Sequence, residues 1–138
     1  MKIYLHKNER NKLVRTQLVG DAKIVDIIGE NTVYKIVDSD AFAQIDREFM
    51  FCIDSDFSKP EDNKVFIDIN LAKEVTKIRL RNERKPLLEA QDIAYMQAQE
   101  SGADTTAIVA EKVRLRDITN QVDTCTTTDQ LKALSCNP

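Results

Sequence analysis

Glycine, proline and tryptophan are scarce in this chain of 138 residues, which holds three glycines, three prolines and no tryptophan. The glycines lie too far apart to build a GxGxxG or Walker loop, which excludes the common phosphate-binding motifs. So little glycine and proline also excludes a fibrous repeat or a long flexible linker. The length predicts one domain, or two small modules that share a core.

Histidine and cysteine, which supply much of enzyme chemistry, are equally sparse. Cys52, Cys125 and Cys136 are an odd number without CxxC spacing, which indicates free thiols in a reducing compartment. His6 is the only histidine and has no orienting partner in view, and no His/Cys cluster supports zinc. The sequence therefore predicts a protein that is not an enzyme and that carries no cofactor or metal.

Long apolar runs and a strong charge of either sign are also missing. No apolar stretch approaches the roughly 18 residues that a transmembrane helix needs, and the first ten residues lack the apolar core of a signal peptide. The net charge of −3 argues against a nucleic-acid-binding module. We expect a soluble protein without a membrane span, made in a cytoplasm.

Alternation of apolar and polar residues, the period of β-strands, dominates the first half of the chain. Strand candidates are 2–6, 12–18, 22–28, 32–37, 48–53 and 64–69. The third and fourth read as a hairpin with Gly29 in its turn. Such short connections cannot hold the crossover that parallel strands need, so the strands are predicted to be antiparallel.

The acidic loop DSDFSKPEDNKV, residues 54–65, begins like a calcium-binding loop. Lys59 stands where an EF-hand needs glycine, and Val65 where it needs the closing glutamate. A solvated turn is therefore favoured over a metal site.

A helical period replaces the alternation after Ile69. Asn70 is a candidate N-cap, and Leu71, Val75 and Ile78 then fall on one stripe that is predicted to face inward. Pro86 either kinks this helix, or ends it and begins the next.

Capping signals divide the rest of the chain into helices. Gly102 suits the C-cap of the helix that contains Pro86, and Asp104 suits the start of the next helix. Thr127 and Gln130 have the spacing of a capping box. The predicted fold class is α+β, with a β-rich module (1–69) and a helical module (70–138) made of a linking helix, an antiparallel helical hairpin and a short terminal helix.

A basic run, residues 73–85, contains six basic and two acidic residues. Arg79, Arg81, Arg84 and Lys85 form its candidate basic patch. No aromatic residue for base stacking lies between 70 and 94. A solvated amphipathic helix is therefore favoured, with an acidic protein partner and nucleic acid as the alternatives.

From about Ile78 onward, the chain resembles a C-terminal module of small tailed-bacteriophage virion and tail-fibre-associated proteins. In that module a basic helix leads into an R-x-x-L-L-x-x-x-D helix, and a helix ending L-R-D-I-T and a segment around L-K-A follow. The matching residues here are Arg84, Leu87, Leu88, Asp92, Leu115, Arg116, Asp117, Ile118, Thr119, Leu131, Lys132 and Ala133. Ile93 departs from the pattern, because many such proteins have an aromatic residue there.

The resemblance implies a non-enzymatic structural protein of the virion, an adaptor or connector in the tail or fibre-attachment apparatus that is made in the host cytoplasm. It also implies other virion proteins as partners, and self-association. Two alternatives are a tail-fibre assembly chaperone absent from the mature particle and a nucleic-acid-associated accessory protein. Candidate interface or core residues are Leu71, Val75, Ile78, Leu88, Tyr95 and Leu115.

Overall fold

Two compact units, Met1–Asp68 and Ile69–Pro138, make up the chain. The computed structural model describes residues 1–18, 23, 27, 32–59 and 61–137. The first unit carries short antiparallel strands and the second is helical, which confirms the predicted α+β class.

A three-stranded antiparallel sheet forms the first unit's framework. Its strands are β1 (Lys2–Lys7), β2 (Leu13–Thr16) and β3 (Tyr34–Asp38), and β1 lies in the middle. These strands confirm three of the predicted segments. The predicted hairpin turn at Gly29, with most of the strand before it, lies outside the described residues.

The turn between β1 and β2 is held by one asparagine. The Asn8 side-chain oxygen accepts hydrogen bonds from the backbone N–H groups of Arg10 and Lys12, each at 3.0 Å. Asn11 adopts the left-handed conformation with φ of 55°, which asparagine tolerates better than most residues. These local bonds set the register of the hairpin.

Residues 48–53 do not form the predicted strand. The segment Arg47–Phe49 is a 3₁₀ helix that begins where the Asp46 carboxylate accepts the Glu48 N–H at 3.0 Å. Phe49 and Cys52 are both buried, whereas Phe51 is 89% exposed. The alternation was therefore misleading, because burial follows a three-residue step rather than a two-residue step.

Only Phe66 and Ile67 of the candidate 64–69 lie in a strand, and they pair with a two-residue strand that begins at Ile53. Strand β4 (Ile53–Asp54) lies antiparallel to β5 (Phe66–Ile67). A second 3₁₀ helix, Ser39–Phe42, follows β3. Side chains from these segments close the core of the first unit, which centres on Leu5, Val37, Phe42 and Ile53.

Helix α1 (Ile69–Ser101) dominates the second unit with 33 residues. It passes through Pro86 without interruption, so the alternative in which one helix ends there is wrong. Proline deprives the Asn82 carbonyl of its usual helical donor. Because both residues are exposed, water can replace that donor. Asn70 is not the N-cap but lies in the helix's first turn.

Gly102 ends α1 as the sequence predicts. Its φ is +67°, the left-handed conformation that glycine adopts without steric cost. The Gly102 N–H donates to the Gln99 carbonyl at 3.2 Å, and the Ala103 N–H donates to the Ala98 carbonyl at 2.8 Å. This pair of bonds is a Schellman motif.

Three shorter α-helices complete the second unit: α2 (Thr106–Asp117), α3 (Gln121–Thr124) and α4 (Thr128–Ala133). A 3₁₀ helix, Ile118–Asn120, lies between α2 and α3. The Asp104 carboxylate accepts the Thr106 N–H at 3.0 Å at the start of α2. Hydrogen bonds from Thr106 lower the pKa of Asp104. The predicted capping box of Thr127 and Gln130 is present at α4.

All three short helices pack on α1. The buried residues of this unit are Ala72, Thr76, Leu80, Leu115, Ile118, Val122, Cys125, Leu131 and Cys136.

Candidate interaction surface

Cationic side chains of α1 bind backbone carbonyl groups near the ends of the short helices. The Arg79 guanidinium donates to the carbonyls of Leu131 and Leu134, both at 3.0 Å. The Arg84 guanidinium donates to the Arg116 carbonyl at 2.9 Å. Carbonyls at a helix C-terminus carry partial negative charge, so a cation stabilises them. The Leu131 carbonyl also accepts the Leu134 N–H at 3.3 Å.

The N-terminal end of α1 repeats this arrangement at α3. The Lys73 ammonium donates to the Asp123 carbonyl at 3.0 Å, and the Lys77 ammonium lies 2.8 Å from the Asp123 carboxylate. A hydrogen bond from Lys77 lowers the pKa of that carboxyl group. Much of the basic run therefore stabilises the fold.

The candidate basic patch is accordingly divided. Arg79 and Arg84 contact carbonyl groups within the unit, whereas Arg81 and Lys85 are exposed. Four basic residues do not present one continuous cationic surface.

Cys136 belongs to the same network of hydrogen bonds. The Cys136 N–H donates to the Glu83 carboxylate at 3.2 Å, and its carbonyl accepts from Arg114 at 2.7 Å. Burial raises the pKa of Glu83, but hydrogen bonds from Arg79 and Cys136 outweigh it and leave that pKa below its usual value. Burial, with the charge of Glu83, raises the pKa of the Cys136 thiol, so a reactive thiolate is disfavoured.

The inner face of α1 differs from the stripe predicted by its larger apolar residues. Ala72, Thr76 and Leu80 are buried, and the Thr76 hydroxyl donates to the Ala72 carbonyl at 2.8 Å. Leu71 and Ile78 are 48% and 54% exposed. The predicted inward stripe therefore lies on the wrong side, because small residues at 72 and 76 let the short helices approach closely.

An apolar face consequently lies along the outside of α1. The exposed fractions of Ile93 and Met96 are 54% and 57%. At about 100° per residue, these two lie on the same side of the helix as Leu71, Val75 and Ile78. We call these five residues the outer face of α1.

The remaining candidate interface residues lie elsewhere. Leu115 is fully buried in the core, and Leu88 and Tyr95 are half-buried. The Lys112 ammonium lies 5.2 Å from the centre of the Tyr95 ring and 2.5 Å from the Asp92 carboxylate. Tyr95 thus serves the contact between α1 and α2.

A buried lysine organises the acidic loop of the first unit. The Lys35 side chain is fully buried, and its ammonium donates to the Asp62 carboxylate and to the carbonyls of Asp56 (3.3 Å) and Lys64 (3.4 Å). The hydrogen bond from Lys35 lowers the pKa of Asp62. The loop that resembles a calcium site is therefore not simply solvated, because it closes around an internal cation.

His6 borders an open concavity of the first unit, together with Lys7, Asp56 and Phe57. Two of the polar groups that line this concavity have partners. The His6 ring lies 3.4 Å from the Thr16 hydroxyl, and the Lys7 ammonium lies 3.3 Å from the Asp54 carboxylate.

Neither a metal site nor a membrane-spanning helix is found among the described residues, and similarity to known proteins indicates no further site. Among the described residues, no group of three or more His, Cys, Asp or Glu side chains is placed to hold a metal ion. Even α1 is too polar to cross a membrane, and no other helix in the described part of the chain is a candidate. No family model, curated protein or solved structure matches the chain.

Proposed function

We propose that the protein is a non-enzymatic structural component of a tailed-bacteriophage particle, an adaptor or connector in the tail or fibre-attachment apparatus. The outer face of α1 is the surface through which the adaptor binds its partners, because its exposed side chains are apolar. The placement in a phage particle depends on the resemblance of the chain from Ile78 onward.

The use of charge in the second unit supports a protein partner over nucleic acid. Arg79 and Arg84 donate to backbone carbonyls, so part of their donor capacity is used inside the unit. Phosphate neutralisation by many cations dominates nucleic-acid affinity. Two exposed cations of the patch, Arg81 and Lys85, supply little of it.

Mass spectrometry of purified particles tests the proposal. We expect the chain in the particle, at a constant ratio to a tail protein across independent preparations. Its presence in infected cells but absence from particles would favour the assembly-chaperone alternative and contradict the proposal.

A DNA-binding measurement at low salt tests the nucleic-acid alternative. Arg81→Ala/Lys85→Ala is the suitable variant, since neither side chain is buried in the fold. We expect no salt-sensitive binding by the native chain. Binding that this double variant abolishes would instead support the nucleic-acid alternative.

A further inference from the structure

Most apolar residues of the outer face of α1 lie at equal distances on the two sides of one central point of the helix. Its centre lies between Lys85 and Pro86. Ile78 lies seven residues before Lys85, and Ile93 lies seven residues after Pro86. Val75 and Met96 lie ten residues away on the two sides. A two-fold axis through the centre would therefore place Ile78 opposite Ile93 and Val75 opposite Met96, whereas Leu71 would lie opposite Glu100.

The same two-fold axis would also pair polar residues that can form hydrogen bonds with each other. Asn82 and Glu89 are each three residues from the centre, so an amide donor would meet a carboxylate. Exposed cations, Arg81 and Lys85, precede the centre, and an exposed carboxylate, Glu89, follows it. Antiparallel helices would bring Glu89 close to Arg81 of the second copy, although the two Lys85 side chains would meet beside the axis. Parallel helices in register would oppose each of the three charges with its own copy.

We propose that the outer face of α1 binds a second copy of this chain, with the two helices antiparallel across a two-fold axis at Lys85 and Pro86. Such an isologous contact uses one surface twice and closes at a dimer. From Leu71 to Met96 the face is about 38 Å long, at 1.5 Å per residue. This inference rests on the proposed function, in which the outer face of α1 binds a protein, and it identifies that protein as a second copy of the chain.

The native mass of the full chain is the first test. Sedimentation equilibrium across the micromolar range should give twice the chain mass of 15.7 kDa. Ile93→Lys places a charge opposite Ile78 of the second copy and should weaken dimerisation about tenfold or more. Val109→Lys is the matched control, since Val109 is 45% exposed on α2 and should leave the association unchanged.

Cross-linking tests the direction of the helices. Single variants Ile78→Cys and Ile93→Cys, when mixed and oxidised, should form a mixed dimer in preference to either symmetric one. The native cysteines are buried, so the wild-type chain should remain uncross-linked under these conditions. A parallel pair would instead cross-link Ile78→Cys to itself.

Three outcomes would overturn the inference: a monomer throughout the micromolar range, a dimer that Ile93→Lys does not weaken, or preferential self-cross-linking of Ile78→Cys. These results are independent of the particle test. A chain found in the virion but monomeric would contradict only the dimer, and a dimer absent from the virion would contradict only the proposed role.

Discussion

Replacing Arg79 by methionine tests whether the basic run of α1 stabilises the fold or binds a ligand. Methionine retains an unbranched apolar stem but removes the guanidinium. The variant loses hydrogen bonds to the carbonyls of Leu131 and Leu134 and to the Glu83 carboxylate, at 3.0, 3.0 and 2.8 Å. Those bonds tie α4 to α1.

The expected loss of stability is smaller than the sum of three bonds. Hydrogen bonds to charged groups contribute about 1.5–3 kcal/mol each. The Arg79 side chain is 27% exposed, so water can reach the released carbonyls and screens the ion pair with Glu83. We therefore expect the free energy of unfolding to fall by about 2–3 kcal/mol.

Urea unfolding, followed together with hydrogen exchange of residues 128–137, measures this loss and its location. Faster exchange should appear in that segment. Arg81→Met is the matched control, since Arg81 is exposed on the same helix and its loss should change stability by no more than about 0.5 kcal/mol. Equal effects of the two substitutions, or none from Arg79→Met, would refute the carbonyl-capping role.

Three further predictions concern the loop, the cap and the pH response. Lys35→Met leaves Asp62 without its buried cation and should cost about 3 kcal/mol in urea unfolding, whereas the exposed control Lys64→Met should be near neutral. Gly102→Ala should lower stability by about 1 kcal/mol in thermal unfolding, because φ is +67° although a methyl group meets nothing within 4 Å. Because the folded pKa of Glu83 lies below the unfolded value of about 4.3, its contribution is present at neutral pH and is lost as pH falls through the folded pKa. The stability difference between the native chain and Glu83→Gln should therefore shrink below about pH 4.3, and a difference unchanged by acid would exclude this role.

Local signals predicted the elements that depend on near neighbours. The positions of β1, β2 and β3 follow from alternation, and the end of α1 at Gly102 follows from a conformation that glycine adopts readily. The capping box of α4 needs only residues three apart. In each case the stabilising contacts lie within a few residues of the sequence signal.

Residues 48–53 show where such signals fail. Their alternation fits a strand, but the Asp46 cap begins a 3₁₀ helix and burial falls on Phe49 and Cys52. Periodicity shows which side chains share a face, but a short apolar run is compatible with more than one backbone.

Tertiary packing decided which face of α1 is exposed and which groups its cations bind. By itself, the sequence determined that α1 is amphipathic and that 73–85 is basic. Only the folded chain shows Ala72 and Thr76 inward, Leu71 and Ile78 outward, and Arg79 bound to carbonyls more than 50 residues away. The physical reason is that the choice of buried face depends on the shape of the covering helices. Which group a cation binds depends on which carbonyls at distant helix ends the fold brings within its reach.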